Sequence, residues 1–350
     1  MKYRQLGRTS LSISEVGLGV MTFGSQTPEE DAFQQLDMAF EAGITLFDTA
    51  ENYPAPVLPA THGRSEEFLG RWVNQRGLRQ QVILASKVAG PGNAAGEMTH
   101  IRGSHRHLDR ANIVAAVEGS LRRLGTDYID LYQVHWPERA ITTLGRSRFS
   151  HLEDDSELVP LEETLAALAE VVASGKVRSI GVANESPWGV MRYLAASDAN
   201  HLPRIASVQN GYSLLDRQFE LGLAEIAMRE QVGLIAYSPL SGGLLTGKYS
   251  ERPEAIQGSR SAAPGFAKAR FTPNKLAATK AYMDLARRWG LDPSVMALAF
   301  VRQRPFLASV LVAASRVLQL QQNLQSLHVT LTRELIKEID AIHDVQPNPK

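Results

Sequence analysis

The chain has 350 residues, with 37 Lys and Arg against 37 Asp and Glu, 44% hydrophobic residues and no cysteine. Zero net charge and a pI near 7.2 leave no basic footprint for nucleic acid or an anionic membrane surface. Without cysteine there is no disulfide framework, thiolate metal site, iron–sulfur cluster or thiol nucleophile. The opening MKYRQLGRTSLSISEVGLG lacks the apolar segment of a signal peptide, and no stretch approaches the ~18 apolar residues of a membrane span. We therefore expect a cytoplasmic protein with neither a nucleic-acid nor a membrane partner.

Tyr3–Ser14 places a Gly-Arg-Thr-Ser turn between two short strand-like pieces and reads as a hairpin. Eight apolar runs follow: Glu15–Gly19, Ile44–Asp48, Val82–Val88, Ile129–His135, Val177–Asn184, Ile205–Asn210, Val232–Ser238 and Ser309–Ala314. Helical patterns succeed them at 28–42, 65–77, 110–124, 161–175, 187–198, 218–230, 273–289 and 316–327, with an extra helix over Thr332–His343. Thr27-Pro28, Ser186-Pro187 and Thr272-Pro273 pair an N-cap residue with proline at the first helical position. Gly43, Gly125, Gly175 and Gly290 stand where helices should stop.

Length alone allows about two domains. Eight strand–helix alternations are the number that closes a (β/α)8 TIM barrel, and no Ser/Gly-rich linker divides the chain. The expected fold class is α/β, with residues 1–350 as one barrel domain and the hairpin capping its floor. Long connections over about 89–109, 136–160 and 241–272 all follow strands, and so stand on the C-terminal face where barrel sites are built.

Polar residues gather at those strand ends: Asp48, Lys87, His135, Asn184, Gln209-Asn210 and Tyr237-Ser238. Tyr53 follows Asp48 on a loop made non-helical by Pro54, Pro56 and Pro59. Singly, such residues are more often a carboxylate-paired lysine, a hydrogen-bonded structural histidine or a core or rim tyrosine than catalytic groups. Together they make a chemistry. A tyrosine, which ordinarily titrates near pH ~10, exchanges protons near neutrality only when a close cation favours its phenolate. Lys87 supplies that cation, Asp48 holds it charged, and His135 orients a substrate oxygen.

Asp48-Thr49-Ala50-Glu51-Asn52-Tyr53, Ala85-Ser86-Lys87-Val88 and Leu131-Tyr132-Gln133-Val134-His135-Trp136-Pro137 resemble the Asp, Tyr, Lys and His signatures of the aldo-keto reductase superfamily. Leu6-Gly7-Arg8-Thr9 and Gly17-Leu18-Gly19 match its opening, and the resemblance spans about residues 2–345. It is strongest toward the Tas-type bacterial members, through Gln133–Pro137, Val190–Leu194 and Met296–Arg302. The resemblance implies an NADP(H)-dependent oxidoreductase that reduces a small-molecule aldehyde or ketone, with Tyr53 as proton donor, Lys87 and Asp48 tuning it and His135 positioning the carbonyl.

By the same resemblance, Asn184 and Gln209 hold the nicotinamide carboxamide and Tyr237 stacks on its ring. Gly19, Val20, Met21 and Asp48 are further cofactor-binding positions by the resemblance. Ser238, Pro239, Leu240, Ser241, Gly242 and Lys248 belong to a pyrophosphate strap, and Arg270 occupies a second basic position. Ala313, Ser315, Arg316, Gln319, Gln322 and Asn323 form the adenosine end, with Ser315 opening a helix and Arg316 beside the 2′-phosphate. Val20, Ala183, Ala313 and Gln322 depart from the usual Thr, Ser, Gly and Glu of relatives, and none falls on the Asp-Tyr-Lys-His set. No GxGxxG fingerprint is present, which disfavours a Rossmann dehydrogenase.

Two rivals stand beside this reading. A metal-dependent barrel hydrolase would use His100, His105, His107 and Asp109, but these lie in a loop and not at strand ends, with no second pair of ligands; no metal is expected. The other is an NADP(H)-binding regulatory or sensor protein with only slow turnover, as the resemblance extends to potassium-channel β subunits. Trp136, Trp188 and Phe149 are candidate apolar walls of the substrate pocket. Substrate identity and oligomeric state are not readable from the chain.

Overall fold

The computed structural model describes residues 1–91, 98–103, 106–139, 141, 158–251, 253–257 and 271–350. Two antiparallel strands, β1 (Tyr3–Gln5) and β2 (Ser12–Ser14), form the expected hairpin. Eight parallel strands then close a barrel: β3 (Val16–Gly19), β4 (Leu46–Asp48), β5 (Ile83–Val88), β6 (Ile129–Val134), β7 (Val177–Ala183), β8 (Ile205–Gly211), β9 (Gly233–Tyr237) and β10 (Leu307–Val312). Each pairs with its sequence neighbour and β10 returns to β3, the right-handed βα winding of a TIM barrel. β10 begins two residues earlier than the apolar run Ser309–Ala314, because Leu307 already pairs with Leu234 ahead of an irregularity at Ala308, and Ala313-Ala314 lie beyond the strand.

The hairpin caps the floor as expected. Leu6 and Ile13 are fully buried against Leu46, Ala85, Leu131, Ala206, Ile235, Ala308 and Leu311, which fill the barrel interior. Gly7 is required there: its φ is +57°, and a Cβ would stand 2.6 Å from the Ala206 carbonyl oxygen. Outside the sheet, Phe47, Leu84, Val88, Tyr132 and Val134 face the helices and join the main core.

The described helices of eight residues or more are α1 (Glu29–Glu41), α2 (Arg64–Arg76), α3 (Arg110–Leu124), α4 (Leu161–Ala173), α5 (Pro187–Asn200), α6 (Leu223–Glu230), α7 (Pro273–Arg288), α8 (Pro293–Arg302), α9 (Val317–Leu324) and α10 (Arg333–Val345). Ser186 and Thr272 cap α5 and α7 by accepting from Gly189 N and Lys275 N. Thr27 does not cap α1: Pro28 occupies the cap position and the Thr27 hydroxyl donates to Thr22 instead. Gly43, Gly125, Gly175 and Gly290 all adopt positive φ after helices, as their positions predict. The stretch 218–230 is a 3-10 turn followed by the shorter α6.

The sequence pattern has no counterpart for α8. Its residues from Ser294 to Arg302 are all buried, so it shows no polar face and no amphipathic period; only the Asp292 cap and Pro293 announce it.

Candidate active site

Side chains alternate across a strand, so the period that sends Leu46, Ala85 and Leu131 into the barrel also sends Asp48, Lys87 and Gln133 inward two residues later. At the C-terminal ends of β4 and β5, Lys87 Nζ donates to Asp48 Oδ1 at 2.6 Å and to the Thr49 carbonyl at 2.6 Å. Lys87 is fully buried and Asp48 is 3% exposed. Burial pushes the Lys87 pKa down, and the Asp48 charge opposes that loss of protonation.

Tyr53 stands above this pair. Its hydroxyl lies 3.4 Å from His135 Nε2, and Lys87 Nζ lies 5.4 Å from its ring centre. The structure thus brings together all four residues predicted as catalytic. His135 is buried against Trp136, with ring centres 4.4 Å apart, and burial with the nearby Lys87 charge drives its pKa well below the ordinary histidine value. It is a neutral imidazole at neutral pH. His135 Nδ1 is buried without a partner. An unmet lone pair is cheaper than an unmet N–H, which assigns the proton to Nε2, facing Tyr53.

The predicted nicotinamide residues lie on the same rim but are engaged with the protein. Asn184, at φ +55°, donates Nδ2 to the His135 carbonyl at 2.8 Å and accepts the Tyr237 hydroxyl at 2.6 Å. Gln209 donates to Asp48 Oδ2 at 2.8 Å and to Gln133 Oε1 at 3.2 Å. Further acceptor capacity remains on Asn184 Oδ1 and Gln209 Oε1. The Tyr237 ring lies over Gly211, where a Cβ would come within 3.3 Å of it. Gly19 ends β3 paired with Asp48, and Val20 and Met21 follow it, with Val20 N donating to the Asp48 carbonyl at 2.9 Å.

After β9, Ser238-Pro239-Leu240 lead into a 3-10 segment, Ser241–Thr246, in what composition alone presents as a loop. Ser238, Ser241, Gly242 and Gly243 all take positive φ. Within this turn Ser241 N donates to the Ser238 carbonyl at 2.8 Å and Gly243 N to the Leu240 carbonyl at 2.9 Å, and its glycines let another group approach the backbone closely. Lys248 folds back over it: a Cβ on Gly243 would meet Lys248 Cε at 2.9 Å and Nζ at 3.2 Å. No carboxylate among the described residues pairs with that ammonium. Lys248 is the group of this segment that would meet a dinucleotide pyrophosphate. Arg270 and Phe149 lie outside the described residues.

At the adenosine end Ser315 does not open the helix, contrary to the expectation from sequence. Arg316 takes the extended cap position, and α9 starts at Val317. Ser315 Oγ instead bonds Gln319 Oε1 at 3.2 Å. Ala313, Arg316 and Gln322 are exposed, whereas Asn323 is buried.

Three features that the sequence does not announce surround the site. Glu51, between Asp48 and Tyr53, forms a buried ion pair with Arg102, which also donates to the Ala89 carbonyl at 2.9 Å. Glu138, buried, accepts His107 Nδ1 at 2.7 Å, Leu108 N at 2.6 Å and Val159 N at 3.1 Å. Gln133 reaches Asp48. Only Gln133 had a signal, its place two residues before His135 on a strand next to Lys87. As for the metal rival, His107 is bound to Glu138, Asp109 caps α3, His100 packs on His62 and His105 is outside the described residues. Trp136 walls the mouth with Ala89, Met98 and Ile101, whereas Trp188 is exposed between the Arg139 and Arg192 guanidiniums.

Comparison with known proteins decides the family. The profile described as the aldo/keto reductase family matches residues 15–344. The chain belongs to the aldo/keto reductase family. It is 48% identical to Protein tas of Escherichia coli strain K12 over all of this chain and 99% of that one. It is 31% identical to the uncharacterized oxidoreductase YrpG of Bacillus subtilis, over 100% and 97% of the two chains. It is 30% identical to L-glyceraldehyde 3-phosphate reductase of Escherichia coli O157:H7, over 97% and 92%. Membership makes this aldo/keto reductase an oxidoreductase with a small-molecule substrate. No helix of its described residues is long and apolar enough to cross a membrane.

Proposed function

We propose that the chain is an NADPH-dependent carbonyl reductase. The observation that carries this reading is the approach of the Tyr53 hydroxyl to His135 Nε2 above the buried Lys87–Asp48 pair. A relative of 30% identity named for an aldehyde substrate supports the same class. A nicotinamide bound at this rim would supply the hydride for the carbonyl carbon. The Tyr53 hydroxyl protonates the oxygen as its negative charge develops, and the buried Lys87 cation stabilises the phenolate left behind. His135, neutral and protonated on Nε2, donates to the carbonyl oxygen and fixes its place relative to Tyr53. Its low pKa is an asset here, as an imidazolium would compete for Tyr53's proton-donor role.

Asn184 Oδ1 and Gln209 Oε1 would accept from the carboxamide, the 241–248 strap would hold the pyrophosphate, and Ser315 with Arg316 would meet a 2′-phosphate. Lys248 and Arg316, cations without a carboxylate partner among the described residues, support a phosphorylated dinucleotide.

The test is NADPH oxidation, followed by absorbance, with a nitrobenzaldehyde, methylglyoxal and a simple ketone, beside Tyr53→Phe. Turnover lost by about 10²-fold or more in the variant, with NADPH affinity within about twofold, is expected. Equal rates would sink the assignment. NADPH retention with only slow turnover on every carbonyl would instead favour a cofactor sensor.

A further inference from the structure

Asp48 has two carboxylate oxygens, and only one meets Lys87. Oδ1 takes the ammonium at 2.6 Å. Oδ2 accepts Gln209 Nε2 at 2.8 Å and Gln133 Nε2 at 3.2 Å, while Gln133 Oε1 accepts Gln209 at 3.2 Å. Gln133 is fully buried and sits directly beside Lys87 in the β5–β6 register. The barrel makes room for it: a Cβ on Gly181 of β7 would stand 3.3 Å from Gln133 Cγ and 2.8 Å from Ser207 Oγ.

We propose that Gln133 is a positioning residue for the reduction: by anchoring Oδ2 of Asp48, it keeps the carboxylate aimed at Lys87. The inference rests on the reductase reading and extends it to a side chain below the reacting groups. In a dry site an ammonium–carboxylate pair and its neutral amine–acid form lie close in energy, because both charges are desolvated. Donors on the second carboxylate oxygen favour the ionic form. Without the Gln133 donor Oδ2 is held by Gln209 alone, the carboxylate turns from Lys87, and Lys87, whose pKa burial already lowers, gives up its proton at lower pH and leaves Tyr53 without its cation.

Methionine at 133 keeps the shape and removes the donor; glutamic acid keeps the shape and donates only while protonated. The experiment uses the full chain carrying ¹³C-lysine, with the Lys87 signal assigned by its absence in Lys87→Met. In Gln133→Met the Lys87 titration midpoint should fall by about one pH unit, and the alkaline limb of kcat should move with it. NADPH affinity should stay within about twofold. Gln133→Glu should match the wild type at low pH and part from it as pH rises. An unmoved Lys87 midpoint in Gln133→Met, even with kcat uniformly lowered, would make Gln133 a packing residue and overturn the proposal. The Lys87 titration needs no substrate, so a wild-type protein inactive on carbonyls would sink the reductase reading while this measurement still decided the role of Gln133.

Discussion

The Tyr237 hydroxyl donates to Asn184 Oδ1 over 2.6 Å, tying the end of β9 to the residue that leaves β7 at φ +55°. That bond sets the Asn184 amide so that Nδ2 reaches the His135 carbonyl. Tyr237→Phe keeps the ring over Gly211 and frees the amide to turn. A hydrogen bond of this kind contributes about 1 kcal/mol, so NADPH affinity should weaken about fivefold with kcat little changed. Fluorescence titration of NADPH checks this, and unchanged affinity would show that the backbone and the His135 carbonyl suffice to hold Asn184.

Arg102 and Glu51 form a buried pair that joins the Tyr53 loop to the segment after β5. Arg102→Met strands the Glu51 carboxylate, whose pKa burial already raises. Loss of one partner of a buried pair costs about 3–5 kcal/mol, whereas the double change Glu51→Gln with Arg102→Met should cost less than either single one. Urea unfolding of the four proteins completes the cycle; additive losses would mean the pair is not coupled.

Acid should destabilise the protein through His135. Its folded pKa is depressed by burial and by Lys87, so below about pH 6.5 the unfolded chain takes up a proton that the folded chain refuses. Stability then falls on acidification by up to about 1.4 kcal/mol per pH unit from this group, until pH reaches its folded pKa. His62, His100 and His343, also lowered chiefly by burial, add to the slope. Unfolding midpoints at pH 7 and 5 should differ less in His135→Asn than in the wild type; equal differences would place a proton on His135 in the fold.

Gly243 has φ +94° and no room for a side chain beneath Lys248. Gly243→Ala should therefore push the ammonium out of the strap and strain the backbone by about 1 kcal/mol or more. We expect NADPH affinity to fall about tenfold, with Lys248→Met giving a similar loss and the double variant little further. Calorimetric titration of the three proteins is the check, and full additivity would separate the two residues.

The chain by itself determined the barrel, the hairpin and the residues now converging on Lys87. Strand and helix periods, glycine stops and polar strand ends are local properties, and eight parallel strands wound in order leave one way to bring their C-terminal ends together. Motif spacing could not show what lies between those ends. The hydrogen bonds of Gln133 and Gln209 to Asp48 cross from β6 and β8 to β4 through the barrel interior, at separations of 85 and 161 residues. Helix α8 escaped because burial on every side erases amphipathic period. The pairing of Glu51 with Arg102, the hold of Glu138 on three backbone and side-chain donors and the start of α9 after Arg316 were settled by burial and by which polar partners lay within reach. Those are properties of the packed chain, as a buried charge or amide takes its role from the neighbours that tertiary structure supplies.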